Sequence, residues 1–178
     1  KYGYSLYSAR FGNIYQVRQL VQLTKEALGT FTPSNMVWQR DGRFFDALRP
    51  TVEPNGLADA NEVIMQRNMH LERVKQMFHT MDLFVFTFGL TEAWVHKDSG
   101  TVFPTAPGTV ADSWDREKVL FHNFTYNEIY DDFVEFRSIM KSINPNMEFI
   151  LTVSPVPLIA TATDKHVLVA TNHSKALL

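Results

Sequence analysis

Two short apolar runs, MDLFVFTF at residues 81–88 and EFILTVS at 148–154, constrain the fold more than any other feature of this chain. Each is rich in Phe, Val or Ile, has no helical polar face and is the length of a strand buried on both sides. The first stops at Gly89 and the second at Pro155. Between them, Thr125 and Glu128 have the form of a capping box, and Ile129, Phe133, Phe136, Met140 and Ile143 recur at helical spacing as far as Asn144-Pro145. Strand, helix, strand in that order predicts a right-handed crossover between parallel strands. Two more helices are predicted upstream. Ile14, Val17, Leu20, Val21, Thr24, Ala27 and Leu28 carry one to Gly29, and Asp59 with Glu62 caps another whose face is Val63, Arg67, Leu71, Val74 and Phe78. The pattern predicts an α/β fold of three layers, with helices on both faces of a parallel sheet.

The remaining segments read as connections. Residues 30–56 contain Pro33, Gly42, Pro50 and Pro54 interleaved with Trp38, Phe44, Phe45 and Leu48, which predicts a long loop pinned by aromatics. Asp98-Ser99-Gly100 predicts a small hairpin over 94–104, followed by a loop over 105–123. The closing residues SKALL read as the opening of a helix, and both ends of the chain read as cut.

At 178 residues with 45% hydrophobic composition, the chain can bury one substantial core, so a single domain over 1–178 is expected. The net charge of -2 comes without blocks of like charge, and nothing points to nucleic acid or an anionic membrane surface. Without cysteine there are no disulfide or thiolate sites. The longest weakly charged stretch, residues 149–163, is too short and too rich in Pro and Thr for a membrane helix. The reading is a soluble, cytoplasmic segment with no membrane span, and its oligomeric state stays open.

In a parallel α/β sheet, ligands bind beyond the carboxyl ends of the strands, where Gly89-Leu90-Thr91-Glu92 and Ser154-Pro155 emerge. Glu92 there reads either as a group orienting a substrate or as a loop anchor. Ser154 lacks the G-x-S-x-G elbow and reads as structural. Gly12 and Asn13 stand at the mouth of the first helix, where backbone N–H groups and an amide face an oxyanion or simply cap the helix. No two of the six histidines have metal-ligand spacing, so neither a metal nor a cofactor is expected.

YSARFGNIY with RQLVQL, WQRDGRFFDALRP, RNMHLERV, DLFVFTFGLTEAW, FHNFTYNEIYDDF with INPN, and LTVSPVPLIAT followed by HVLVATNHSKALL resemble the GSCFA-domain family in order and spacing over essentially the whole chain. That family is placed with the SGNH/GDSL hydrolases. The resemblance implies a flavodoxin-like fold and serine-based acyl chemistry on an ester, a small molecule or a glycan such as a bacterial polysaccharide. Gly12 with Asn13 would match the second block of that group. Gly89 to Glu92 would match the third, with Thr91 at the Asn place and Glu92 at the Asp place. The serine nucleophile would lie upstream of Lys1 and the acid and histidine block downstream of Leu178, leaving an incomplete domain that is inactive alone. Two alternatives accompany an esterase: an O-acyltransferase, and a carbohydrate-binding or scaffold module gripping a glycan with Trp38, Phe44 and Phe45.

Overall fold

The computed structural model describes residues 9–112 and 115–178. The elements run α1 (Val17–Ala27), β1 (Val37–Arg40), β2 (Arg43–Asp46), α2 (Ala60–Thr80), β3 (Leu83–Phe88), β4 (Glu92–His96), β5 (Val102–Phe103), β6 (Val119–Asn123), α3 (Tyr126–Ile143), β7 (Glu148–Val153) and α4 (Val167–Leu177). The fold is α/β, with a small parallel sheet and two antiparallel ones.

β3 and β7 pair in parallel, Leu83 opposite Glu148 through Phe88 opposite Val153. The capping box at α3 forms as predicted: Glu128 N–H donates to Thr125 Oγ1, and the Glu128 carboxylate accepts from Thr125 N–H. Asp59 caps α2 by accepting from Glu62 N–H at 2.8 Å, but the reciprocal half of the predicted box is absent, because the Glu62 carboxylate accepts from Ala58 N–H instead of Asp59 N–H. On one face of the pair, Phe84, Phe86 and Phe88 join a core with Leu20 and Val21 of α1, Phe78 of α2, and Phe136 and Met140 of α3. The opposite face is open: Leu83, Val85 and Ile150 are exposed, Val85 at 59%, and Thr87 and Thr152 share a hydroxyl hydrogen bond of 2.8 Å across it.

This corrects the expectation of strands buried on both sides. β3 alternates strictly between buried and exposed residues, because among the described residues the helices of this core all pack on the phenylalanine face. Its apolar run disguises the period, since the outward positions are Leu, Val and Thr.

A second core lies under the two antiparallel units. Residues 30–56 are not one long loop: β1 and β2 form a hairpin closed by Asp41-Gly42, with φ of 49° and 71°, the positive values a two-residue turn of this kind requires. Trp38 and Phe45 from this hairpin bury against Phe103 and Val119. The predicted 94–104 hairpin is present as β4 and β5. The expected loop after it contains β6, which pairs along the other edge of β4 from Glu92 opposite Asn123 to His96 opposite Val119. SKALL lies within α4 and its C-cap instead of opening a helix. That helix starts at Val167, where His166 Nδ1 accepts from Leu168 N–H. No helix among the described residues is long and apolar enough to cross a membrane.

Candidate functional site

Two glycine-containing loops meet at the carboxyl end of β3. The first, Arg10 to Gln16, leads into α1. Gln19 Oε1 accepts from the N–H groups of Tyr15 (2.9 Å) and Gln16 (3.2 Å), so the entry to the helix is capped from within. Ahead of that cap the N–H groups of Gly12 and Asn13 and the Asn13 carboxamide make no hydrogen bond among the described residues; only the Asn13 carbonyl is engaged, by Gln19 Nε2. Asn13 is exposed and Gly12 half-buried.

A buried ionic network holds this loop. Gly12 has φ +71°, and a Cβ there would stand 3.2 Å from Arg49 Cβ, so glycine is needed for both backbone and space. Arg49 Nη1 donates to the Arg10 carbonyl (3.1 Å) and its Nε to Asp46 Oδ2 (2.9 Å). Both Asp46 oxygens also accept from Arg67 Nη1 at 3.0 Å, and Arg67 Nε donates to Glu26 Oε1 at 2.6 Å. Burial raises the Glu26 carboxyl above its ordinary value even with Arg67 beside it. The loop is thereby tied through β2 to α2 and α1.

The second loop, Gly89 to Glu92, is engaged at almost every polar atom. The N–H groups of Gly89 and Leu90 both donate to the Tyr15 carbonyl at 3.1 Å, which joins the two loops directly. A Cβ on Gly89 would lie 3.0 Å from that carbonyl oxygen and 3.2 Å from Tyr15 Cα. The Gly89 carbonyl accepts from Lys175 Nζ (2.6 Å), and Thr91 N–H donates to Ser174 Oγ (3.2 Å), so α4 docks on the same four residues. Thr91 is buried and its Oγ1 has no partner among the described residues. The Glu92 carbonyl accepts from Gln16 Nε2, and its carboxylate accepts from Thr161 Oγ1 (2.5 Å) and Ala162 N–H (3.3 Å). Glu92 therefore anchors the loop that follows β7. Ser154 continues the strand ladder through its N–H to the Phe88 carbonyl (2.8 Å), and its Oγ accepts from Val156 N–H (3.2 Å), a local turn bond.

The five residues singled out in the sequence thus occupy two touching loops. Free donors lie on Gly12 and Asn13, while Gly89 and Glu92 join loops together. Sequence reasoning missed Tyr15, Arg49, Ser174 and Lys175, which hold the loops in place. Arg49 carried a signal, a cation in an otherwise apolar LRP stretch; Tyr15 acts through its carbonyl, which no residue type reveals.

Among the described residues no serine or threonine hydroxyl is hydrogen-bonded to a histidine nitrogen, and no cluster of His, Asp and Glu could hold a metal. Trp38, at 0% exposure, and Phe45, at 2%, belong to the second core and cannot grip a glycan.

These features define an α/β protein whose unengaged loop donors stand beside the end of a parallel strand. The chain belongs to the GSCFA family, whose model matches residues 1–178. No curated protein and no solved structure matches the chain.

Proposed function

We propose that the chain contributes the oxyanion-binding part of a serine acyl-ester hydrolase, within a three-layer flavodoxin-like domain of the SGNH type. Membership of the GSCFA family suggests hydrolase-like chemistry. The single observation that carries the reading is the Gly12–Asn13 loop, where two backbone N–H groups and a carboxamide stay unengaged while the Gly89–Glu92 loop beside it is paired at almost every polar atom. Preset donors of this kind stabilise the negative oxygen that forms when a nucleophile adds to an ester carbonyl, and they need no reorganisation as the charge develops.

In this reading Gly12 and Asn13 donate to the oxyanion. Gly89 allows Tyr15 to approach and so fixes the position of those donors, and Thr91 and Glu92 brace the loops behind them. The serine nucleophile and histidine base of this reading come from outside residues 1–178. A polysaccharide ester is the proposed substrate. Esterase and O-acyltransferase share this arrangement and differ in whether water or a sugar hydroxyl takes the acyl group.

The test is fluorophosphonate labelling of the whole protein, with the labelled peptide mapped by mass spectrometry. The expected result is a labelled serine outside residues 1–178, with Asn13→Ala slowing both labelling and ester turnover by about 10²-fold while leaving the unfolding midpoint unchanged. A folded protein that takes no label overturns the reading.

A further inference from the structure

A cleft of about 510 Å3 lies between the start of the Gly12 loop and α2. One wall is a single stripe of α2, since Met65, Met69 and Arg73 recur four apart with His70 beside them. The other wall is Arg10, Arg49 and Glu53. The cleft is locally cationic in a chain whose net charge is -2. Glu53 pairs with Arg10, and Asp46 behind the wall is divided between Arg49 and Arg67, with Glu26 on Arg67. Counting Arg73, four guanidinium groups face three carboxylates. Arg73 is bonded to Gln76 and has no carboxylate partner among the described residues.

A second observation points the same way. His70 is 9% exposed, lines the cleft, and its Nε2 is buried without a hydrogen-bond partner. Burial, and after it the charges of Arg49 and Arg67, lowers its pKa to about 4, so the ring is a neutral imidazole at pH 7. Met65 and Met69 are exposed along the same stripe, giving the cleft an adaptable apolar side.

We infer that this cleft binds the anionic group, carboxylate or phosphate, of a small ligand whose apolar part lies on Met65 and Met69. Arg and an unpartnered imidazole are the donors that such oxygens take, and desolvation in a partly closed cleft strengthens each bond. Arg10 is two residues from Gly12, so a molecule held here lies beside the unengaged donors. On the acyl-ester reading, on which this step rests, it is the charged portion of the substrate, and the polysaccharide is an acidic one.

The experiment is isothermal titration calorimetry of the whole protein with glucuronate and with inorganic phosphate, at constant ionic strength balanced with chloride. Saturable binding of one or both is expected, and the tighter probe separates carboxylate from phosphate. Arg73→Gln and Arg10→Gln each weaken binding by about fivefold, and both side chains are exposed enough for the variants to fold. No saturable heat with either anion, or affinity unchanged in both variants, overturns the inference. The titration needs no turnover, so the two proposals fail separately. Serine labelling without anion binding removes the cleft and leaves the acyl chemistry. Anion binding without labelling upholds the cleft and removes only its role as a substrate subsite.

Discussion

The Gly12 and Gly89 loops are joined through the Tyr15 and Glu92 carbonyls, yet they are built in opposite ways. At Gly12 the backbone is held from outside by charged side chains, through Arg49 and Asp46 to Arg67, and its own donors stay free. At Gly89 the backbone is held by its own donors, both given to Tyr15, and little remains to offer a ligand. The need for glycine differs as well. Gly12 has a left-handed backbone, whereas Gly89 leaves room for a neighbouring chain. A loop that keeps its N–H groups available has to be fixed by something else, and here that support is a buried ionic network.

The largest expected effect breaks the support of the first loop. Arg67→Met leaves Glu26 and Asp46 buried without their shared cation, and urea unfolding should show a loss of about 3–5 kcal/mol. Next is Gly89→Val, which places branched carbons against Tyr15 and should cost about 3 kcal/mol while abolishing ester turnover.

The third separates the loops by pH. His70 has a folded pKa below its unfolded one, so the unfolded chain binds the extra proton and stability falls as pH drops from about 6.5 towards 4. Facing it are Arg49, Arg67 and Arg10, which oppose its protonation, and Asp46, which favours it. Between pH 7 and pH 5 this group should account for about 2 kcal/mol of lost stability. His70→Leu should remove that part of the slope, whereas changes in the Gly89 loop should leave it intact. The smallest effect sharpens the second loop: Glu92→Ala should cost about 1 kcal/mol and raise amide exchange at Thr161 to Thr163, with His70 titration unmoved.

The helices and strands that carry the first core were legible because each has a local signal: N-caps at Asp59 and Thr125, and apolar spacing on the faces of α1, α2 and α3. The hairpin at Asp41-Gly42 was equally signalled and was obscured by the prolines around it. β6 was hidden for another reason. A short strand whose pairing is set by partners 23 to 31 residues away has little in its own composition to mark it, and VLFHN mixes polar and apolar residues. In the candidate site, Gly12, Asn13, Gly89 and Glu92 could be marked from position, because strand ends and helix mouths are where backbone groups remain to be satisfied. Which of them keeps free donors could not be read, since it depends on where the Tyr15 carbonyl lands.

The antiparallel excursion has a consequence for folding kinetics. Leu83 and Glu148 lie 65 positions apart in the chain, a long separation to close before any parallel contact is gained. Glu92 opposite Asn123, with Phe124 N–H on the Thr91 carbonyl at 2.8 Å, brings the two ends of β4 to β6 together beside the strand they leave. Once that unit has formed, the path from Phe88 to α3 is only a few residues long, and the parallel pair closes as though the excursion were absent.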